Sequence, residues 1–250
     1  MKPPSFKLTA FVSALFVSAA VISQADAART KPDNDLNVYI LLDRTGSMES
    51  IWEEALKSVN AYAEELAKDE EGPAVDTTIS LAVFDAQDGM QFDVLRRSVQ
   101  ADDWKPVTND EASPRGMTPL FDAIGRMMTI AESDKPEKAI VVVMTDGEEN
   151  SSSEMTKENV KDRLDRARDK GWEIVFLGAE FANFADASSV GVSAAKSMGV
   201  SKDRMEDTMR SLSAKSKSYG AAEQGSAPIT FDDEDRAAAG EEEVKQKQPN

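Results

Sequence analysis

The segment AIVVVMTD, residues 139–146, is the most strand-like stretch of this 250-residue chain. Its unbroken apolar run is typical of a parallel strand that other elements cover on both faces. Residues 38–42 (VYILL) and 174–177 (IVFL) repeat the same pattern. The run at 38–42 leads directly into Asp43, as the run at 139–144 leads into Asp146. These segments therefore predict buried parallel strands, two of which end close to a carboxylate.

Helical patterns separate the predicted strands. Apolar residues recur at helical spacing in four segments, which are residues 51–66, 120–131, 160–167 and 205–219. Ser50 and Glu53 have the spacing of a capping box before the first of these helices. Thr156 and Gly171 are expected to begin and end the third helix.

A hairpin is expected between the first two helices. Residues 78–84 and 92–99 are strand-like, and Asp88-Gly89 is a strong turn signal between them. Polar residues in the second of these strands suit the edge of a sheet. The alternation of strands and helices predicts an α/β fold, namely a doubly wound, mostly parallel sheet with one antiparallel edge strand and helices on both faces.

The N-terminal segment has the features of a secretory signal peptide. Lys2 and Lys7 precede an uncharged, largely apolar run at 8–23, and a small-x-small cleavage pattern ends at Ala27. The alternative is an uncleaved membrane anchor, but the run is shorter than the roughly 20 apolar residues that span a bilayer. We therefore expect cleavage after Ala27 and a periplasmic or secreted protein that has no membrane span after cleavage.

The predicted organisation has four parts. They are a signal peptide at 1–27, a short polar leader at 28–35, a domain at 36–219 that includes a C-terminal helix, and an acidic tail at 220–250. The tail is expected to be disordered because it is rich in acidic residues and has few large apolar groups.

Composition excludes several kinds of chemistry. The chain has no Cys and no His, so a zinc finger, a thiol nucleophile and a Ser-His-Asp triad are excluded. Its 46 Asp and Glu against 29 Lys and Arg give a net charge of −17, which argues against a nucleic-acid-binding protein. A metal site must use oxygen ligands, which favours Mg²⁺, Mn²⁺ or Ca²⁺.

Oxygen-bearing side chains gather where the predicted strands end. The stretch DRTGS places Asp43, Thr45 and Ser47 at alternating positions of a loop, so that their side chains point to one side. Thr118 stands where a long loop meets the second helix, and Asp146 follows the most strand-like segment. In open α/β sheets, ligands bind at the carboxyl ends of the strands. Two carboxylates and three hydroxyls suit a hard cation such as Mg²⁺, which retains an exchangeable position.

Three segments in this order resemble the von Willebrand factor type A domain with its metal-ion-dependent adhesion site. They are DRTGSM at 43–48, RGMTPLFDAI at 115–124 and MTDGEEN at 144–150. The resemblance covers roughly residues 36–180, and three elements in this order are a specific signal. It continues through WEIVFLGA at 172–179, which is similar to a bacterial subgroup whose C-terminal helix would be residues 201–219.

The resemblance implies a ligand set. Asp43, Thr45, Ser47, Thr118 and Asp146 would hold the cation, with Ser47 and Thr118 binding it directly and an aspartate often acting through water. Thr45 stands where the family more often has Ser, and its hydroxyl preserves the donor.

The expected function is a non-enzymatic binding module. A partner protein would present an Asp or Glu to the open coordination position of the cation. One alternative is a phosphoester hydrolase that uses Glu148 or Glu149 as the base, although both are more simply solvated loop charges. The phosphatase-type Asp-x-Asp is absent from the predicted site, since Asp43-Arg44-Thr45 lacks the second carboxylate. A Gly-rich phosphate loop that ends in Lys-Ser or Lys-Thr is also absent, and both absences argue against a hydrolase. Another alternative, a subunit that modulates an ATPase, conflicts with the predicted export.

Simpler structural roles exist for the same residues. Ser47 and Thr118 are also suited to capping helices, and Asp43 to starting a turn. Arg44 and Arg115 flank the predicted site, where a surface position is the default and recognition of a partner carboxylate is the alternative.

Overall fold

The computed structural model describes residues 35–68, 75–179, 185–223 and 225–247. The strands in these residues form one sheet, which comprises β1 (Leu36–Asp43), β2 (Thr77–Ala86), β3 (Met90–Gln100), β4 (Lys138–Thr145), β5 (Glu173–Ala179) and β6 (Ser197–Val200). Their order is β3-β2-β1-β4-β5-β6, in which β3 is antiparallel to β2 and all other neighbours are parallel. The predicted sheet, with one antiparallel strand at its edge, is confirmed.

Helices cover both faces of this sheet. They are α1 (Trp52–Leu66), α2 (Leu120–Asp134), α3 (Lys157–Asp169), α4 (Ala185–Ser189), α5 (Met205–Ala221), α6 (Asp233–Ala238) and α7 (Glu241–Lys247). Alternate residues of β1 face opposite layers, as the period of a strand requires. Val38 and Ile40 belong to the apolar cluster that includes α1 and α5, whereas Tyr39 and Leu41 belong to the cluster that includes α2 and α3.

Most of the predicted turn and cap signals act as expected. The Thr156 hydroxyl accepts the Asn159 N–H over 3.2 Å at the start of α3, and Gly171 follows the end of α3 with φ of +80°. Asp88-Gly89 connects β2 to β3.

The predicted capping box at Ser50 is wrong. Residues Gly46–Ser50 form a short 3-10 helix, and α1 begins at Trp52 without a side-chain cap. Met48 in this turn is fully buried, so packing in the core sets the chain direction here. Glu53 instead pairs with Lys57 over 2.7 Å.

The disordered tail predicted for residues 220–250 is wrong for its described part, where α5 reaches Ala221 and α6 and α7 follow. The apolar residues here are few, but Ile229, Phe231 and Val244 are 1%, 6% and 0% exposed. The prediction relied on the low average hydrophobicity of the segment, which does not reveal that a few apolar side chains are buried.

The C-terminal segment covers the outer edge of β6, a strand that the sequence did not predict. The Ser197 carbonyl accepts from Arg236 Nη2 over 3.2 Å, and the Gly199 N–H donates to Glu241 Oε1 over 3.1 Å. The Ser201 N–H donates to the Ala239 carbonyl over 2.9 Å. Backbone groups that an edge strand would leave unpaired are thus satisfied by the tail.

The predicted signal peptide at 1–27, and all but the last residue of the leader at 28–35, lie outside the described residues. Cleavage after Ala27 stays a prediction. In the part of the chain that the structure describes, no helix combines the length and the apolar character needed to cross a membrane.

Candidate metal centre

The five predicted donors meet at the carboxyl edge of the sheet. Asp43 is the last residue of β1, and Asp146 directly follows β4, its parallel neighbour. Thr45 and Ser47 lie in the turn and the 3-10 helix after β1. Thr118 lies two residues before α2. Because parallel strands end at the same edge, the topology alone places the two aspartates side by side.

Hydrogen bonds connect these donors into one cluster. Ser47 Oγ donates to Asp146 Oδ1 over 2.7 Å and lies 3.2 Å from Thr45 Oγ1. Thr118 Oγ1 donates to Thr45 Oγ1 over 3.3 Å. The Thr45 N–H donates to Asp43 Oδ1 over 2.7 Å. The structure therefore brings all five residues together.

The capping roles considered for these hydroxyls are not the ones they play. Pro119, rather than Thr118, is the N-cap residue of α2, and it caps no N–H with its side chain. Ser47 lies within the 3-10 helix and directs its hydroxyl across the sheet edge to Asp146.

Both carboxylates are buried. Asp43 is 0% and Asp146 is 7% exposed. Burial raises the pKa of Asp43 to about 7, although its Oδ2 accepts the Thr145 hydroxyl over 2.6 Å. Burial also raises the pKa of Asp146, against a lowering effect of the Ser47 hydroxyl. Among the described residues, no Lys or Arg side chain lowers either pKa, so the cluster lacks a compensating positive charge.

The cluster fits a hard divalent cation. All of its donors are oxygens, as Mg²⁺ prefers. A Cβ at Gly147 would lie 3.1 Å from Thr118 Oγ1 and 3.6 Å from Ser47 Oγ, so the glycine keeps the space beside the hydroxyls open. Ser47 is exposed, which leaves the cluster accessible from solvent. Among the described residues, no three His, Cys, Asp or Glu side chains are grouped so that they could hold a metal ion. A metal bound here therefore depends on hydroxyl oxygens as well as on the two carboxylates.

The sequence of this chain matches one known protein family. The model of the von Willebrand factor type A domain matches residues 37–219. The chain belongs to the von Willebrand factor type A family. No curated protein matches it.

Solved structures share the fold of this type A domain at low sequence identity. The manganese-loaded TRAP protein of Plasmodium vivax aligns with a TM-score of 0.53 and 15% identity, over 70% of this chain and 72% of that one. The pilus adhesin SpaC of Lactobacillus rhamnosus GG, in its open conformation, aligns with a TM-score of 0.56 and 12% identity, over 73% and 30%. Proximal thread matrix protein 1 of the mussel byssus gives 0.52 and 14%, over 73% and 46%. The chain spans less than half the length of the last two, and these likenesses establish the fold alone.

Asn150 of the type A domain holds Thr118 in place. The Thr118 N–H donates to Asn150 Oδ1 over 2.8 Å, and the Asn150 N–H donates to the Thr118 carbonyl over 3.0 Å. This pair of hydrogen bonds connects the segment at 115–124, which contains Thr118, to the segment at 144–150, which contains Asn150. Sequence reasoning did not single out Asn150, because an exposed loop amide has no periodic signal. Its known ability to mimic backbone hydrogen bonding was the only hint.

Glu149 is not the solvated loop charge that was expected. One carboxylate oxygen accepts the N–H groups of Ser151 and Ser152 over 2.9 and 2.7 Å. The other accepts the Phe121 N–H over 2.8 Å and the Ser152 hydroxyl over 2.6 Å. Glu149 therefore fixes the loop after β4 against the first turn of α2, where a negative charge is favourable.

Arg44 is not on the surface either, since it is 3% exposed. Its Nε contacts Asp85 Oδ2 over 2.7 Å and its Nη2 contacts Asp93 Oδ2 over 2.5 Å. Its carbonyl accepts the Arg115 N–H over 2.8 Å. Arg44 thus joins the loop after β1 and the loop before α2 to the β2–β3 hairpin, and its guanidinium is already paired with Asp85 and Asp93. The Arg115 side chain remains 43% exposed.

The Gly116 backbone completes this connection. Its φ is +71°, and a Cβ there would lie 2.8 Å from the Ala86 carbonyl carbon. Next to it, Met117 forms a bridge with Ala86, through Ala86 N–H to the Met117 carbonyl over 2.9 Å. The backbone of the loop that carries Thr118 is therefore anchored to the end of β2.

Proposed function

We propose that this type A domain is a non-enzymatic binding module that engages a protein partner through a divalent cation. Asp43, Thr45, Ser47, Thr118 and Asp146 would hold the ion, with Mg²⁺ expected first and Mn²⁺ or Ca²⁺ as alternatives. When bound, the ion supplies an open coordination position that an Asp or Glu of the partner fills.

The convergence of oxygen donors from three separate loops carries this proposal. Two buried carboxylates without a positive neighbour are costly for a folded protein, because burial disfavours their charged forms. A cation among them removes that cost. The exposed side of the cluster, at Ser47, is the direction from which a partner carboxylate would approach.

The structural relatives support a binding role outside the cell. The TRAP structure is loaded with manganese, and SpaC is a pilus adhesin. A surface or envelope location agrees with the signal peptide predicted at 1–27, and we accordingly propose a periplasmic or secreted protein.

A hydrolase is the weaker candidate. Glu149, one of its two candidate bases, has both oxygens occupied by four hydrogen bonds from Phe121, Ser151 and Ser152. A carboxylate held in this way is poorly placed to take a proton from water.

Calorimetric titration with Mg²⁺ and Mn²⁺ tests the metal site. We expect Asp146→Ala to weaken binding by more than about 100-fold, since even outer-shell changes cost up to that amount. Asp162→Ala, an exposed position on α3, is the matched control and should bind as the wild type does. Equal affinity of wild type and Asp146→Ala would reject the site.

Capture from an envelope extract tests the partner. The chain is immobilised and incubated with Mg²⁺ or with EDTA, and retained proteins are identified by mass spectrometry. A partner that is retained with Mg²⁺, released by EDTA and not captured by Asp146→Ala is expected. Metal-dependent turnover of a generic phosphoester would instead favour the hydrolase.

A further inference from the structure

A groove of about 700 Å³ runs between α1 and the connection at residues 107–114. Trp52 and Leu56 line it from the helix, and Asn109 and Pro114 line it from the connection. Glu49, in the 3-10 helix before α1, also lines it.

One end of the groove lies close to the loops that carry the predicted metal donors. Glu49 is only two residues after Ser47, so their Cα atoms are at most about 7.6 Å apart. The opposite wall, at Pro114, leads within two residues to Gly116. The two walls meet where the Gly46 N–H donates to the Gly116 carbonyl over 3.1 Å. The proposed cation site and this end of the groove are therefore close neighbours.

Hydrogen bonds hold both walls in place. The Trp52 indole N–H donates to Asn109 Oδ1 over 2.9 Å and lies 3.2 Å from the Ala112 carbonyl. Farther along, the Asn60 amide donates to the Val107 carbonyl over 2.9 Å and accepts its N–H over 2.8 Å. The groove is thus preformed, which lowers the ordering cost of binding.

Glu49 supplies an uncompensated charge at the groove. Its side chain is exposed and takes part in no hydrogen bond or ion pair within the described ranges. Glu53, the other acidic residue of the lining, already pairs with Lys57 over 2.7 Å. A cationic side chain therefore complements this end of the groove.

We propose that the groove receives an extended segment of the protein partner beside its metal-bound carboxylate, and that a Lys or Arg of this segment pairs with Glu49. This inference rests on the proposed function. It gives the partner a signature, namely an Asp or Glu with a basic residue at a fixed separation along the same segment.

Selection from a displayed library of random peptides around a fixed Asp tests this signature. The probe is the library itself, selected on the full chain in Mg²⁺ and eluted with EDTA. Lys or Arg should be enriched at one position relative to the fixed Asp. For a selected peptide, Glu49→Lys should weaken binding by about three- to tenfold, as expected for reversal of a rim charge. Changing the basic residue of the peptide to Glu should restore binding to Glu49→Lys.

Glu64→Lys is the matched control. Glu64 is also exposed, lies on α1 and has no ion pair among the described residues, but it is outside the groove lining. Its peptide affinity should stay within about twofold of wild type, which is below the loss of a rim pair.

The outcomes separate this inference from the function on which it rests. Magnesium-dependent peptides without a basic preference, or equal peptide affinity of Glu49→Lys and wild type, would overturn the groove assignment and leave the metal site intact. So would a chain that binds Mg²⁺ but selects no peptide. Failure to bind Mg²⁺ at all would reject the proposed function itself.

Discussion

Replacing Asp43 by Asn should stabilise the cation-free protein at neutral pH. The side chain is fully buried, and burial raises its pKa from 3.8 to about 7. Below the lower pKa the carboxyl is protonated in both the folded and the unfolded states, so its burial does not reduce the free energy of unfolding. Between the two values only the unfolded state has released the proton, and stability therefore falls as pH rises. Above the higher value the full cost applies, and Asn avoids it.

The size of the effect follows from the shift. A difference of about three pKa units corresponds to about 4 kcal/mol, at about 1.4 kcal/mol per unit. An Asn at this position keeps an acceptor for the Thr45 N–H. Its amide can donate to Thr145 Oγ1, whose hydroxyl then turns to the Gly147 carbonyl, 3.2 Å away. We therefore expect Asp43→Asn in EDTA to be more stable than wild type by about 2–4 kcal/mol at about pH 8 and equally stable near pH 4.

Urea unfolding followed by tryptophan fluorescence measures this difference at both pH values. Saturating Mg²⁺ should stabilise the wild type but not Asp43→Asn, because a ligand stabilises only the folded state that binds it. Asp162→Asn, which changes an exposed charge, should follow the wild type. If wild type and Asp43→Asn lose stability equally as pH rises in EDTA, the buried carboxylate is not the source and the reasoning is refuted.

Two further substitutions probe the surroundings of the site, and a truncation probes the edge of the sheet. Asn150→Ala should weaken Mg²⁺ binding by about 10- to 100-fold in calorimetry because Thr118 loses its anchor, whereas Asn150→Asp keeps the acceptor oxygen and should bind more tightly than Asn150→Ala. Met117 is 51% exposed beside Thr118, so Met117→Ser should reduce magnesium-dependent partner capture; Val94→Ser, at a side chain 42% exposed on β3, should leave it unchanged. Truncation after Ala222 uncovers the edge of β6 and should cause self-association in light scattering, and a purely monomeric product would contradict the covering role of the tail.

The fold was predictable because its signals are local. The apolar runs that became β1, β4 and β5 need cover on both faces, and the helical spacing between them supplies that cover. Once the sheet is parallel, its topology brings Asp43 and Asp146 to one edge. The candidate site was therefore predictable from motif order and strand context together.

The supporting contacts were not predictable in this way. Glu149 and Asn150 look like ordinary loop residues, and their roles depend on α2 and Thr118, which are about thirty positions away in the chain. Arg44 is buried only because the β2–β3 hairpin brings Asp85 and Asp93 against it. None of these pairings has a spacing that a sequence pattern reveals.

The sequence by itself determined the alternation of strands and helices, the antiparallel edge strand and the oxygen-only character of any metal site. These properties follow from local periodicity and from which side chains exist. Only the tertiary structure decided that hydroxyls and carboxylates share one hydrogen-bonded cluster, that Arg44 is enclosed, and that the acidic C-terminal segment covers β6. Each of these depends on contacts between distant parts of the chain, and composition averages over the few residues that make them.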